Sequence, residues 1–119
     1  MNTHVKAFSF VFASALGLAA CSSTPPPSNL MVEAETMLNQ AKSEGAEDHA
    51  ATLYLTAKDH LEKGKDAVED KEYEEAKVYL ERSIADSRYA MAKAESFKAE
   101  QSAQEIEETL NSLENSYSN

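Results

Sequence analysis

An all-α fold, laid out as a three-helix antiparallel arrangement with a long protruding C-terminal helix, is predicted by three observations. No proline follows Leu30, and the only glycines beyond it are Gly45 and Gly64. Ala, Glu, Lys and Leu, all good helix formers, dominate what remains. Apolar residues recur at steps of three and four, the spacing that gathers side chains on one face of a helix.

The first segment is expected from Leu30 to Glu44, with Ser28 or Asn29 as N-cap and a stripe of Leu30, Ala34, Met37, Leu38 and Ala41. Gly45 supplies its stop, because a glycine just past the last turn can take the left-handed conformation at little cost. A second helix is expected from Glu47 to Asp70, on the recurrence of Ala50, Leu53, Ala57, Leu61, Gly64 and Val68. Three consecutive charged residues, Asp70-Lys71-Glu72, interrupt that stripe before Tyr73, Ala76, Leu80 and Ile84 restart it. This marks a tight corner between antiparallel helices. The third helix continues through Ser87, Met91, Ala94 and Phe97 and then through Ala103, Ile106, Leu110, Leu113 and Tyr117. Unbroken, it would run for about 40 residues, roughly 60 Å. The second helix, folded back from the corner, reaches only to about Phe97. The last turns should therefore fray or find a partner, and self-association through Ile106, Leu110 and Leu113 is one way to cover them.

The N-terminal residues 1–20 have a different character. Lys6 precedes an apolar run from Ala7 to Ala20, which is short of the roughly 20 apolar residues that a membrane-crossing helix needs. Leu18-Ala19-Ala20-Cys21 closes the run and resembles the lipobox of bacterial lipoprotein signal peptides. The resemblance implies cleavage between Ala20 and Cys21, with diacylglycerol on the Cys21 thiol and an acyl chain on its new amino group. An ordinary secretory leader, whose cleavage site also uses small residues, is the alternative. Residues 21–29 then read as the acylated Cys and a disordered Ser/Pro tether, since Ser22 to Ser28 contains three prolines and no large apolar side chain. Residues 30–119 form the helical domain.

Without its first twenty residues the chain keeps ninety-nine of its 119, room for one small domain. Lys6 is the only charge in the leader, so the remainder carries ten Lys and Arg against twenty-one Asp and Glu, a formal charge of −11. So acidic a surface disfavours nucleic acid, which needs cations to release counterions. It also disfavours electrostatic adhesion to anionic headgroups, so attachment to a membrane falls to the acyl chains. Cys21 is the only cysteine, which rules out an internal disulfide.

Gly64, Tyr73, Ala76 and Leu80, with the Glu74-Glu75 pair, resemble the packing residues of a tetratricopeptide (TPR) hairpin. The departures are Ser83 in place of a small alanine, no proline after the second helix, and no second copy at the repeat period. Taken together, the lipobox, the Ser-Ser-Thr-Pro-Pro-Pro tether, the Glu-Tyr-Glu-Glu-Ala corner and the Ala-Lys-Ala-Glu helix resemble small proteobacterial lipoproteins of the type grouped as domain of unknown function 4398. That resemblance implies a helical fold and a place in the cell envelope, and no activity. Ser22 beside the acylated cysteine resembles the residue that permits sorting to the outer membrane.

Metal chemistry finds little support. His49 and His60 are expected about 16 Å apart along one helix, too far for both to reach a single zinc ion. The acidic run Glu69, Asp70, Glu72, Glu74 and Glu75 lacks the glycine-turned loop of an EF-hand and suits the start of the third helix instead. No phosphate-binding loop or nucleophile elbow occurs, so no enzyme, no metal and no cofactor beyond the Cys21 lipid is expected. Tyr54, Tyr79, Tyr89 and Phe97 would line a ligand cleft or fill the core, and Ala90, Ala92 and Ala94 would admit a close helix. The reading that joins these features is an outer-membrane, periplasm-facing lipoprotein presenting a helical protein-interaction or envelope-structural module. A self-associating coiled-coil spacer and a small-ligand carrier are the alternatives.

Overall fold

A computed structural model describes residues 24–118, and every element among them is helical: α1 (Ser28–Ser43), α2 (Ala46–His49), α3 (Ala51–Glu69) and α4 (Tyr73–Tyr117). The expected cleavage and lipidation site at Ala20 and Cys21, and the sorting residue Ser22, lie outside the described residues.

Helix α1 begins two residues earlier than its apolar stripe suggests. Pro27 occupies the N-cap position, and neither Ser28 nor Asn29 caps through its side chain, because both are already inside the first turn. The proline is compatible with this place because Met31 N–H bonds back to its carbonyl at 3.1 Å, which asks nothing of the missing proline N–H. Ala34, Leu38 and Ala41 are buried, with Leu30, Met31 and Met37 packed against them. Gly45 ends the helix at φ +82°, in the left-handed region expected of it.

The second helix expected over residues 47–70 is two helices. Ala50, at φ −143° and ψ 39°, separates the single turn α2 from α3. No Pro or Gly stands there to announce the break. It is needed because α1 and α3 lie side by side and the chain must reverse between them, and packing fixes the intervening turn: Ala46 is fully buried and the His49 ring stacks on Phe97 of α4 at 4.6 Å. His49 and His60 consequently sit on different helices, not along one as the sequence suggested.

The corner between α3 and α4 falls at Asp70-Lys71-Glu72. Lys71 adopts φ 63°, its N–H bonds to the Val68 carbonyl at 3.1 Å, and Glu72 N–H bonds to the Ala67 carbonyl at 2.8 Å. These are the paired bonds of a Schellman motif, with lysine where glycine is usual. Glu74 and Glu75 then occupy the first turn of α4, where the helix dipole favours negative charge.

Cross-helix contacts set the directions. Gly64 lies against Leu80, whereas Ser83 Oγ, further along α4, donates back to the earlier Ala57 carbonyl at 2.8 Å, so α3 runs antiparallel to α4. Glu33 meets Arg88 and Glu44 meets Lys98, so α1 runs parallel to α4. Eight of the thirteen buried apolar residues are alanines, which lets the helices approach closely. The tightest point is Gly64 over Leu80, where a Cβ on the glycine would stand 2.7 Å from a Leu80 methyl.

At 45 residues, α4 is about 67 Å long. Its buried residues end at Ala94, and every described residue beyond it is exposed. The described helices thus form a short bundle from which α4 projects for about 30 Å beyond Phe97.

Candidate functional site

Along the projecting end of α4, Ile106, Leu110, Leu113 and Tyr117 recur at steps of four, three and four and therefore share a face. Their exposures of 62%, 60%, 50% and 89% mean that nothing in the described chain covers them. Ala99 and Ala103 extend the same seam toward the bundle. Seven residues make almost two full turns, so Glu100, Glu107 and Glu114 line one border of the seam and Ser102, Thr109 and Ser116 line the other.

Charge divides sharply at Lys98. The five Lys or Arg ion pairs found among the described residues, and the His60–Asp86 hydrogen bond, all lie between Glu33 and Lys98. Two of them hold lysines in the charged form: Lys42 is raised above 10.5 mainly by its bond to Glu47, and Lys63 above 10.5 mainly by its bond to Asp59. Beyond Lys98 there are five glutamates and no Lys, Arg or His.

The other end of the rod is the corner. Thr24 Oγ1 donates to Glu74 Oε1 at 2.7 Å, and Thr24–Leu30 lines an open cleft together with Lys77. This hydrogen bond brings the chain into the bundle beside the start of α4, about 65 Å from Tyr117.

The remaining expected residues are dispersed. Gly64, Ala76 and Leu80 are buried at the α3–α4 contact, and Tyr73 is half-buried beside the corner. Tyr54 is buried in the core and Tyr79 lies beside His60, whereas Tyr89 is exposed and Phe97 carries the His49 stack. The four aromatics therefore do not converge on one cleft. Ala90 and Ala94 are buried within the bundle, and Ala92 faces solvent. No cluster of three or more His, Cys, Asp or Glu side chains suited to a metal occurs among the described residues. None of the described helices is long and apolar enough to cross a membrane.

Two features escaped the sequence reading. One is the glutamate border of the seam, whose signal was the seven-residue spacing of Glu100, Glu107 and Glu114. The other is the Thr24–Glu74 bond between residues fifty positions apart, which has no local signal. No curated protein and no solved structure gives a significant match to this chain. The family model described as domain of unknown function (DUF4398) matches residues 29–106, spanning α1 from its second residue, all of α2 and α3, and α4 as far as the first large residue of the seam, and the chain belongs to that family.

Proposed function

We propose that this protein is an outer-membrane lipoprotein, anchored through Cys21, that presents its helical body to protein partners within the envelope. The observation that carries the reading is the opposition of its two ends. Thr24, three residues after the expected anchor Cys21 in the sequence, is hydrogen-bonded to Glu74 at the corner. The apolar seam occupies the far end of α4, at the other extreme of one continuous helix. A lipid anchor at the first end and an uncovered binding face at the second is the geometry of tethered presentation. In this reading α3 and α4 form a TPR-like hairpin whose close contact at Gly64 and Leu80 stiffens the body, and α4 carries the seam outward.

The anchor is tested by metabolic labelling with a fatty-acid analogue. Wild-type protein is expected to take up label and fractionate with the outer membrane, whereas Cys21→Ala should accumulate as unlabelled precursor or soluble protein. An unlabelled wild type would overturn the proposal. The exposure of Ile106, Leu110 and Leu113 also supports a second reading, a spacer that pairs with its own copies. Sedimentation equilibrium at rising concentration separates the two, since a persistent monomer excludes the spacer.

A further inference from the structure

We propose that the seam of α4 is covered by a cationic amphipathic helix of another protein, one that sets apolar side chains against Ile106, Leu110 and Leu113 and Lys or Arg side chains against Glu100, Glu107 and Glu114. The proposal rests on the presentation reading and deepens it by naming the chemistry of what is bound.

The projecting segment carries three liabilities at once. Its apolar face is open to water, with each large residue at least half exposed. Its charges are all of one sign, with Glu100, Glu107 and Glu114 aligned along one border of the seam and no cation within the segment to pair them. Its last turn holds Glu114 and no basic residue, although the negative end of the helix dipole favours a cation there. The bundle behaves differently: Glu33, Glu35, Glu44 and Glu47 each meet a Lys or Arg.

A second copy would relieve only the first liability. Side by side and parallel, two copies would face the glutamate border of one against the Ser102, Thr109 and Ser116 border of the other. Every carboxylate would stay unpaired. Antiparallel, the two glutamate borders would face each other directly. A helix with cations along its flanks covers the seam, pairs the glutamate border and places positive charge beside the C-terminal turn. It relieves all three.

The test uses the full chain purified from cells and a fluorescent synthetic peptide of about three heptads, with Leu at the seam positions and Lys at the flanking ones. Its twin carries Glu in place of Lys. Three exposed charge pairs of ordinary strength correspond to about a tenfold preference for the Lys peptide in fluorescence anisotropy, declining as salt rises from about 0.05 to about 0.5 M. Leu110→Gln and Leu113→Gln, at exposed positions that leave the bundle intact, should each weaken binding by about tenfold. The triple variant Glu100→Lys, Glu107→Lys, Glu114→Lys should invert the preference. Equal affinity for the two peptides overturns the proposal, as does binding indifferent to Leu110→Gln, which would mark diffuse attraction between opposite charges. Self-association of the wild type that excludes the Lys peptide overturns it in favour of a second copy. None of these readouts involves the lipid, so their failure and the failure of fatty-acid labelling remain distinct.

Discussion

Replacing Gly64 with alanine probes the closest approach in the bundle. The added methyl would stand 2.7 Å from Leu80 Cδ2, 2.8 Å from Leu80 Cγ and 3.4 Å from the Leu80 backbone nitrogen. Leu80 has no exposed surface, so its side chain cannot swing into solvent. The clash also reaches the branch carbon and not only a mobile tip, so relief requires α3 and α4 to move apart. Two effects oppose each other. Alanine in a helix interior gains about 1 kcal/mol over glycine, and overpacking a filled core costs about 1–3 kcal/mol. With the clash at a branch point the upper end of that range applies, leaving a net loss of about 1–2 kcal/mol. For a domain of this size the midpoint of thermal unfolding should fall by roughly 5–15 °C. A urea titration followed by circular dichroism should show the midpoint falling by about 1 M at unchanged slope. Pairing Gly64→Ala with Leu80→Ala adds an internal control, because removing the clashing side chain should make the double variant lose less than the two singles together. An unchanged or raised midpoint for Gly64→Ala would refute the close contact and, with it, the account of how the hairpin is held.

Three further outcomes are expected. Lys71→Gly should stabilise the fold by up to about 1 kcal/mol, read as a higher unfolding midpoint, because Lys71 holds a left-handed conformation that costs a residue with a Cβ. Ser83→Ala should cost about 1 kcal/mol in denaturant unfolding through loss of the buried bond to the Ala57 carbonyl, whereas Ser87→Ala should be neutral or stabilising, since the buried Ser87 Oγ has no partner among the described residues. Ending the chain after Lys98 should change the stability of the bundle by no more than about 0.5 kcal/mol, because the described residues removed are all exposed; a larger loss in the same titration would mean that the projection supports the body.

Helical elements were readable wherever local rules act alone. The stripe of Ala76, Leu80 and Ile84 reappears as a buried face, and Gly45 takes the left-handed conformation that ends α1. The charged corner at residues 70–72 also lies where three consecutive polar side chains break the periodicity. Ala50 was unreadable because alanine favours helix, and only the stacking of His49 on Phe97 and the burial of Ala46 make its non-helical conformation worthwhile. Tyr54, one position from the expected Leu53, is the buried member of that turn, and Leu53 is half-buried against the same core. For the candidate surface, the step pattern of Ile106, Leu110 and Leu113 was enough to locate it, since an overhang follows from unequal helix lengths. Its charged border acquired meaning only once no neighbouring helix was found beside it.

By itself the sequence determined an all-helical chain, a corner at Asp70-Lys71-Glu72 and a last helix too long for its neighbours to cover, because periodicity, capping and length are properties of residues close together in the chain. Tertiary structure alone decided that Ala50 breaks the expected second helix and that Thr24 meets Glu74 at the end of the rod opposite the seam. Those outcomes depend on which surfaces meet across about fifty positions, and no local pattern encodes a contact whose two halves are so far apart.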